Sequence, residues 1–391
     1  MTTLKIHEAA IRQNVREIHT RTDGRIIAVV KEDGYGIGLR NAYDILHRCG
    51  IDFYGVATAE EAFELRSMGC KDDILLLMPE LSVNQCSRLL IQNIIFMLDS
   101  YEQAGILKEA SARTKIVPRV HLAIDTGLGR YGFAWDDLKE VKLCTSGIKI
   151  EGCYTHFATA ARNYERNIRV QFRHFEESLH TLTKMGISYG MTHVSASKAF
   201  YKCGDLGCDG VRIGSLLLGC GQENSFFQRA VWLESPIFMK NVHKRGKRIG
   251  YDGKLKLKRD TQIGIVKTGY SDGVFLGGQD GEESVVLEVL KKLYKIIIRR
   301  YRGKYVKING IQVPVLGKIG LNHLLVDLTD GNYLIGDEVR IAVNPIFVPK
   351  KVERVLEPSE DLVRSKAEWM IISSRAGLVS FSPVGKAQAN G

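Results

Sequence analysis

Short apolar runs rich in β-branched residues alternate with helix-like stretches over about the first 220 residues. Eight such runs occur, at residues 26–30, 53–57, 73–78, 94–98, 116–124, 148–155, 191–194 and 210–213. Between them, apolar spacings of three and four predict helices at residues 39–49, 59–68, 100–113, 165–184 and 197–203. Strands that alternate with helices form a parallel sheet, and eight of them fit one closed (β/α)8 TIM-type barrel, an α/β fold. An open doubly wound sheet is the alternative.

The pattern changes after about residue 230, where strand-like runs follow one another without long helices. These runs lie at residues 262–266, 294–298, 304–315, 323–327 and 338–342. Asn309 and Gly310 separate two apolar runs, which is a strong signal for a two-residue hairpin. The sequence therefore predicts two domains, a barrel over residues 1–230 and a mostly-β C-terminal domain over residues 231–391.

Composition narrows the class of protein. The 391 residues are 45% hydrophobic and 25% charged, which is ordinary for a globular protein and argues against intrinsic disorder. No apolar stretch is long enough to span a bilayer, and the first residues lack the apolar core of a signal peptide, so we expect a cytoplasmic protein without membrane contact. The 8 cysteines are scattered singly, which favours reduced thiols and no metal site.

Much of the net charge of +11 lies in residues 291–307, a segment with 8 basic residues and no acidic ones. A basic patch interleaved with tyrosines is one signature of a nucleic-acid surface. The alternative is a strand with a solvated charged face. We favour the strand and expect no nucleic-acid partner, because no nucleic-acid-binding motif accompanies the charge.

Polar side chains follow several predicted barrel strands at the end where barrel enzymes carry their active sites. A lysine follows the first strand, and arginines, histidines and hydroxyls follow the fifth to eighth. In chain order these residues are Lys31, Asp125, Arg130, His156, His193, Ser195, Ser197, Arg212, Gly214 and Ser215. Their convergence on one rim predicts an active site.

The cofactor prediction starts from Lys31. This lysine emerges from a fully apolar strand, and a poorly solvated amine can condense with a carbonyl group. Gly214 and Ser215 after the eighth strand, with Ser197 after the seventh, match the usual phosphate corner of such barrels. A lysine beside a phosphate corner suggests pyridoxal 5'-phosphate (PLP).

A GxGxxG motif gives a competing prediction. Gly127, Gly129 and Gly132 follow a strand directly, and Glu151 comes about 20 residues later, at the spacing of a dinucleotide-binding fingerprint. Dinucleotide-binding folds place this motif at the first strand, whereas four βα units precede it here. We therefore favour PLP over NAD.

Six blocks of the sequence, taken in order, resemble those of the alanine racemase family. They are residues 28–36 (AVVKEDGYG), 125–133 (DTGLGRYGF), 155–158 (THFA), 211–214 (VRIG), 250–253 (GYDG) and 269–273 (GYSDG). The resemblance covers nearly the whole chain. It implies an N-terminal barrel, a C-terminal β domain and a homodimer in which the C-terminal domain of one copy completes the active site of the other.

The resemblance also implies an activity, the PLP-dependent interconversion of L-alanine and D-alanine by two bases. Lys31 would carry PLP and act on one face of the substrate Cα, and Tyr251 from the other subunit would act on the opposite face. Racemisation needs a proton to leave one face and return to the other. Arg212 would face the pyridine nitrogen and, as a permanent donor, keep it unprotonated. His156 would orient Arg212, with His193 further out.

The resemblance assigns the remaining contacts by group. The phosphate is expected to bind Tyr35, Ser197, Gly214 and Ser215. Arg130 would contact the cofactor phenolate and the substrate carboxylate. Leu321 would lie at the substrate, and Tyr270 would line the entrance.

The sequence departs from the family pattern at several positions that line or support the pocket. These positions are Ala123, Ala196, Leu218, Leu321, Asn322 and Trp369. The changes leave the PLP chemistry intact and alter the pocket wall. A racemase with another or broader substrate range, such as serine, and a non-catalytic PLP-binding protein therefore stay as alternatives. A decarboxylase of the same architecture is disfavoured, because the β domain has no Cys-bearing motif.

Overall fold

The structure is a computed structural model that describes residues 1–158, 164–220, 226–276 and 304–358. Its strands are β1 Thr3–His7, β2 Arg25–Val29, β3 Phe53–Val56, β4 Asp73–Leu76, β5 Ile95–Leu98, β6 Arg119–Asp125, β7 Phe133–Ala134, β8 Lys149–Thr155, β9 Met191–Ala196, β10 Gly210–Ile213, β11 Val231–His243, β12 Arg248–Ile249, β13 Leu255–Lys256, β14 Thr261–Val266, β15 Tyr305–Ile308, β16 Ile311–Leu316, β17 Leu324–Asp327, β18 Glu338–Ile341 and β19 Glu353–Glu357.

The helices lie mainly between the barrel strands. They are α1 Glu8–His19, α2 Lys31–Tyr35, α3 Leu39–Arg48, α4 Ala59–Ser67, α5 Val83–Ile91, α6 Tyr101–Thr114, α7 Val141–Thr145, α8 Tyr164–Lys184 and α9 Ser197–Cys203. Short 3-10 turns occupy Ser215–Leu218, Tyr251–Gly253, Tyr270–Asp272 and Pro345–Phe347. All five predicted helices are present, and the predicted bounds differ from the observed ones by one residue at most.

Eight parallel strands close into a barrel, so the predicted (β/α)8 fold is confirmed and the open sheet is wrong. The order around the barrel is β2, β3, β4, β5, β6, β8, β9 and β10, and β10 pairs with β2. The pairing of β5 with β6 completes the ring on the other side. The short strand β7 runs beside β6.

Strand β6 illustrates why these sequences form barrel strands. Val120, Leu122 and Ile124 belong to the main apolar core, whereas Ala123 packs with other side chains in a separate interior cluster. His121 alternates with them and contacts a histidine of β9. Because successive side chains of a strand point to opposite faces, one face packs on the helices and the other builds the barrel interior.

A second sheet of eight strands follows the barrel. Its order is β14, β17, β16, β15, β18, β11, β1 and β19, and β14 also pairs with β11. The predicted hairpin is confirmed, since Asn309 and Gly310, with φ of 50° and 80°, join β15 to β16. Strand β1 belongs to this sheet, antiparallel to β11 and parallel to β19. The division of the chain at residue 230 itself stays a prediction.

Some predictions fall on residues outside the described ranges. These are the strand at residues 294–298, most of the basic segment at residues 291–307, and Trp369. Lys304 and Lys307 of that segment are described, and each lies against an aromatic ring, 4.9 Å from the Phe275 centroid and 5.2 Å from the Trp232 centroid. In the described part of the chain, no helix combines the length and apolarity needed to cross a bilayer.

Candidate active site

A cavity of about 500 Å³ opens at the carboxyl ends of the barrel strands. Every residue that the sequence assigned to PLP binding lines this cavity: Lys31, Tyr35, Arg130, His156, Ser197, Arg212, Gly214 and Ser215. They follow or belong to strands β2, β6, β8, β9 and β10, and the carboxyl ends of parallel barrel strands meet at one rim. The structure therefore brings these eight residues together, while their individual roles stay predictions.

Lys31 begins a single left-handed turn over Lys31–Tyr35 (α2), which we call the lysine turn. Glu32, Asp33 and Tyr35 have φ of 54°, 57° and 55°, and Gly34 has φ of 64°. A left-handed conformation costs about 1–2 kcal/mol for each non-glycine residue. Strain of this kind concentrates at functional sites. Here the turn brings Lys31 and Tyr35, four residues apart, to the same cavity.

Tyr35, Ser197, Gly214 and Ser215 form one corner of the cavity. A Cβ placed on Gly214 would lie 2.3 Å from Tyr35 Oη, so only glycine allows the ring this close. The Gly214 N–H donates to Ser197 Oγ over 2.9 Å, which fixes that hydroxyl. Burial raises the pKa of Tyr35 to about 12, so its phenol stays protonated and can donate. Three hydroxyl groups at this corner suit an oxyanion.

Arg212 is buried in the barrel interior and bonded only to neutral acceptors among the described residues. Its Nη1 donates to His193 O and to His193 Nδ1, over 2.6 and 2.7 Å. Its Nη2 donates to Thr155 O over 2.7 Å and lies 3.5 Å from His156 Nδ1. Burial lowers the pKa of the guanidinium to about 10, so Arg212 stays charged at neutral pH. A buried cation without a carboxylate leaves its charge available to an electron-rich ligand atom in the cavity.

The hydrogen-bond chain behind Arg212 fixes the tautomers of two histidines. Since arginine only donates, His193 Nδ1 must accept, and the proton of His193 is on Nε2. That nitrogen lies 2.7 Å from His121 Nδ1, which must accept in turn. Burial lowers the pKa of His121 to about 3 and that of His193 well below its usual value, so both rings are neutral. The sequence predictions missed His121, although an ionisable residue inside an apolar strand is a signal for it.

A loop held by Asp125 carries Arg130 to the cavity. The Asp125 carboxylate accepts from the backbone N–H groups of Gly127, Leu128 and Gly129 over 2.9 Å each. Arg130 then lies with its guanidinium carbon 5.2 Å from the Tyr131 ring centroid. The glycine motif therefore forms a loop that supports Arg130. Its proposed partner Glu151 is at the start of β8, bonded to Arg119 at the opposite end of the barrel, which argues against a dinucleotide site.

Three predicted residues, Tyr251, Tyr270 and Leu321, lie in the second sheet region and not at the cavity. Their exposed fractions are 52%, 38% and 68%. Tyr270 and Leu321 belong to one cluster, because the Tyr270 N–H donates to Gly320 O and the Ser271 N–H donates to Leu321 O. The ring of Tyr251 lies 5.9 Å from that of His323, whose carbonyl accepts from the Gly320 N–H. We call Tyr251, Tyr270 and Leu321 the β-domain cluster. Within one chain, the described cavity and this cluster are separate.

Some of the departures from the family pattern line the cavity, and others lie away from it. Ala123 and Ala196 line the cavity, and Ala123 packs with Met97 and Tyr154 on an apolar part of its wall. Leu218 is buried at the end of the Ser215–Leu218 turn and does not line the cavity.

Tyr154 was missed as a site residue, although its ring stacks on His193 and lies under Arg212. Lys198, also missed, follows Ser197 directly and lines the cavity.

Three features of the residues at the cavity fit PLP. The corner at Gly214 excludes any Cβ and offers three hydroxyl groups where a phosphate would bind. Arg212 supplies a buried permanent donor for a ring nitrogen. Lys31 supplies the only kind of side chain that holds PLP covalently. Over the described residues, no three His, Cys, Asp or Glu side chains converge where they could bind a metal ion.

Comparison with known proteins agrees with this geometry. The family model "Alanine racemase, N-terminal domain" matches residues 6–222, and "Alanine racemase, C-terminal domain" matches residues 230–353. The chain belongs to the alanine racemase family. It is an enzyme of the racemase class, and the racemase fold predicted from the sequence is confirmed.

Individual relatives of the racemase are similar over most of its length. An "Alanine racemase 1" of Clostridium acetobutylicum is 30% identical over 348 residues, which cover 85% of this chain and 83% of the relative. An "Amino-acid racemase" of Enterococcus faecalis is 31% identical over 283 residues, covering 69% of this chain and 40% of the relative. The structure of alanine racemase from Clostridium difficile 630 has a TM-score of 0.73 at 25% identity, covering 91% of this chain and 95% of that one.

Proposed function

We propose that this racemase interconverts L-alanine and D-alanine with PLP as its cofactor and acts as a homodimer with shared active sites. The observation that carries the proposal is the single cavity lined by Lys31 together with all seven other residues expected to bind PLP. The names of the relatives support alanine as substrate.

PLP, when bound, acts as an electron sink that acidifies the Cα–H of an amino acid attached to it. Lys31 would hold it and afterwards move a proton at one face of Cα. Tyr35, Ser197 and Ser215 would bind its phosphate through their hydroxyl groups. Arg130 would bind the substrate carboxylate and hold the amino acid in one orientation.

Arg212 has a role in this site that follows from its chemistry. A guanidinium only donates hydrogen bonds, so a ring nitrogen held against it would have to accept and would stay unprotonated. This limits how far electron density is drawn away from the substrate, which favours simple return of the proton over side reactions. Two histidines and three backbone carbonyls keep Arg212 in place without neutralising its charge.

Tyr251 would supply the second base, and a second copy of the chain would deliver it. Racemisation requires a proton donor on the face opposite Lys31. Tyr251 does not line the cavity of its own chain and is 52% exposed there. An exposed tyrosine on the surface of one copy is available to reach the cavity of another.

A broader substrate range is the second candidate. Ala123 and Ala196 give the cavity wall smaller side chains than the family pattern, and one relative is named an amino-acid racemase. A slightly larger amino acid such as serine would fit such a wall.

Chiral analysis of single L-amino acids incubated with the purified protein and PLP tests the proposal. The panel includes alanine, serine, lysine and ornithine. We expect D-alanine as the dominant product. A different dominant D-amino acid would overturn alanine as the substrate and leave PLP-dependent racemisation as the reaction. Bound PLP without any D-product would favour a non-catalytic PLP-binding protein.

A further inference from the structure

The lysine turn is strained, so something outside it must hold it in its left-handed conformation. Three of its non-glycine residues, Glu32, Asp33 and Tyr35, have positive φ. The turn has its own hydrogen bonds, such as Gly34 N–H to Val30 O and Gly36 N–H to Glu32 O, each 2.9 Å. Such strained segments persist only where the surroundings over-determine them. Two contacts reach the turn from other parts of the chain.

The barrel supplies one such contact through Glu61 of α4. Its Oε1 accepts from the Glu32 N–H over 2.6 Å, and its Oε2 accepts from the Ala57 N–H over 2.8 Å. One carboxylate thus ties the lysine turn to the end of the neighbouring strand β3. This contact comes from the next βα unit and holds the beginning of the turn.

A second contact comes from residues 344–354, which we call the clamp segment. The Arg354 Nε donates to Gly36 O over 3.2 Å, directly after the lysine turn. The other nitrogens of Arg354 donate to carbonyl oxygens within the clamp segment itself, at Val348, Pro349 and Val352, over 2.6–2.8 Å. One guanidinium therefore joins the end of the lysine turn to a segment more than 300 residues later.

Backbone packing reinforces this junction. A Cβ on Gly36 would lie 2.1 Å from Pro345 O, and Gly36 has φ of 85°. Gly36 thus bonds to the turn through its N–H and to Arg354 through its carbonyl, with the clamp segment against its Cα. The clamp segment also lies against Gly273, three residues after Tyr270 of the β-domain cluster, because a Cβ on Gly273 would lie 2.6 Å from Phe347 O.

We propose that Arg354 is a positioning residue that holds the lysine turn, and with it Lys31 and Tyr35, in the geometry needed to bind the cofactor. The guanidinium acts through Gly36, and its hydrogen bonds within the described chain go to Gly36 and to the clamp segment. Its fork geometry bridges several carbonyl oxygens at once, which an ammonium group cannot reproduce. The part of the inference that concerns the cofactor rests on the proposed function, and the part that concerns the turn does not.

Amide hydrogen exchange in Arg354→Leu and Arg354→Lys tests the inference. We expect exchange in residues 31–38 to become about tenfold faster in Arg354→Leu, the effect of losing one hydrogen bond to a charged donor. Arg354→Lys should fall between this variant and the wild type, because its single ammonium group replaces only part of the contact set. The faster exchange should appear in the full-length protein with and without PLP, and PLP release should be faster by a similar factor.

Arg259→Leu is the matched control. Arg259 pairs with Asp330 and Asp327 in the same sheet region and does not contact the lysine turn. Its loss should leave exchange in residues 31–38 unchanged. The inference is overturned if Arg354→Leu speeds exchange only in residues 344–354 and leaves exchange in residues 31–38 as in the wild type. If the leucine variant does not fold, the same result in Arg354→Lys overturns it. If the wild type binds no PLP, the proposed function fails, and exchange in the PLP-free protein still decides the inference.

Discussion

The barrel cavity and the β-domain cluster present their polar groups in opposite ways. At the cavity, Arg212 is buried and joined by hydrogen bonds to His193 and, through it, to His121. The protonation states of these three residues are therefore fixed by their neighbours. In the β-domain cluster, Tyr251 and Leu321 are more than half exposed. A buried, hydrogen-bonded site is pre-organised within one chain. An exposed cluster gains its function only when another surface covers it, which is why we propose that the two regions meet between copies.

Loss of Lys31 should have the largest effect, because it would remove the proposed covalent anchor and one of the two proposed bases together. Lys31→Ala is expected to lower racemisation by more than about 10⁴-fold. Mass spectrometry of the borohydride-reduced protein should detect a PLP adduct on the wild type and none on the variant. Lys202→Ala, at the end of α9 and outside the cavity, is the control and should keep both. Normal turnover by Lys31→Ala would show that the barrel cavity is not the reaction site.

Loss of the Tyr251 hydroxyl should have the next largest effect and leave the cofactor bound. Tyr251→Phe is expected to reduce turnover by about 10²–10³-fold, with unequal loss in the two directions, because it would remove only one of the two proposed bases. Visible absorption should show that PLP stays bound. Tyr305→Phe, which removes the hydroxyl of another exposed tyrosine, should behave as the wild type. Wild-type rates for Tyr251→Phe would mean that the second base lies elsewhere.

Co-expression of Lys31→Ala with Tyr251→Phe tests directly whether the two regions meet between copies. In a mixed dimer one site carries both changes and the other carries neither, so about a quarter of the wild-type activity should return. If each site is formed within one chain, both sites stay defective and no activity returns.

Acid should destabilise the barrel region specifically. Burial lowers the pKa of His121 and His156 to about 3, and that of His193 well below its usual value. Histidines of the unfolded chain titrate near 6.5, so below that pH the unfolded state binds more protons and stability falls toward pH 3. The free energy of unfolding should drop by about 1.4 kcal/mol per pH unit for each of these histidines. Urea denaturation at about pH 7 and about pH 5 measures this slope.

Two variants locate the acid effect. His121→Asn keeps an acceptor for His193. It should make the dependence of the unfolding free energy on pH shallower by the contribution of one histidine, about 1.4 kcal/mol per pH unit. His180→Gln changes an exposed histidine and should leave the slope as it is. An equal slope in both variants would show that the buried histidine chain does not govern acid sensitivity.

Truncation of an exposed side chain in the β-domain cluster should have the smallest effect. Leu321→Ala is expected to change KM for alanine by less than about threefold, because the truncation removes a few apolar atoms and no hydrogen-bonding or charged group. Leu334→Ala, another exposed leucine of the same sheet region, is the control. A much larger change for Leu321→Ala alone would show that the leucine side chain itself contacts the substrate.

The sequence allowed the barrel strands and their rim to be predicted because both follow from local pattern. Apolar runs that end abruptly mark strands, and the first polar residue after each run, such as Lys31 or His156, falls at the rim. The left-handed lysine turn could not be predicted in this way, because Glu32 and Tyr35 are not residues that favour positive φ. The contact between His121 and His193 and the pairing of β1 in the second sheet depend on long-range pairing, which has no local periodicity.

The position of β1 has a consequence for how the chain is made. Thr3 pairs with Glu234 on one side and with Glu353 on the other. At ribosomal speeds, on the order of ten seconds to a minute passes between synthesis of this strand and emergence of its two neighbours. Through that interval the strand has no sheet to join, while the barrel that follows it can begin to fold. The second sheet is therefore completed last, after nearly all of the described chain has left the ribosome.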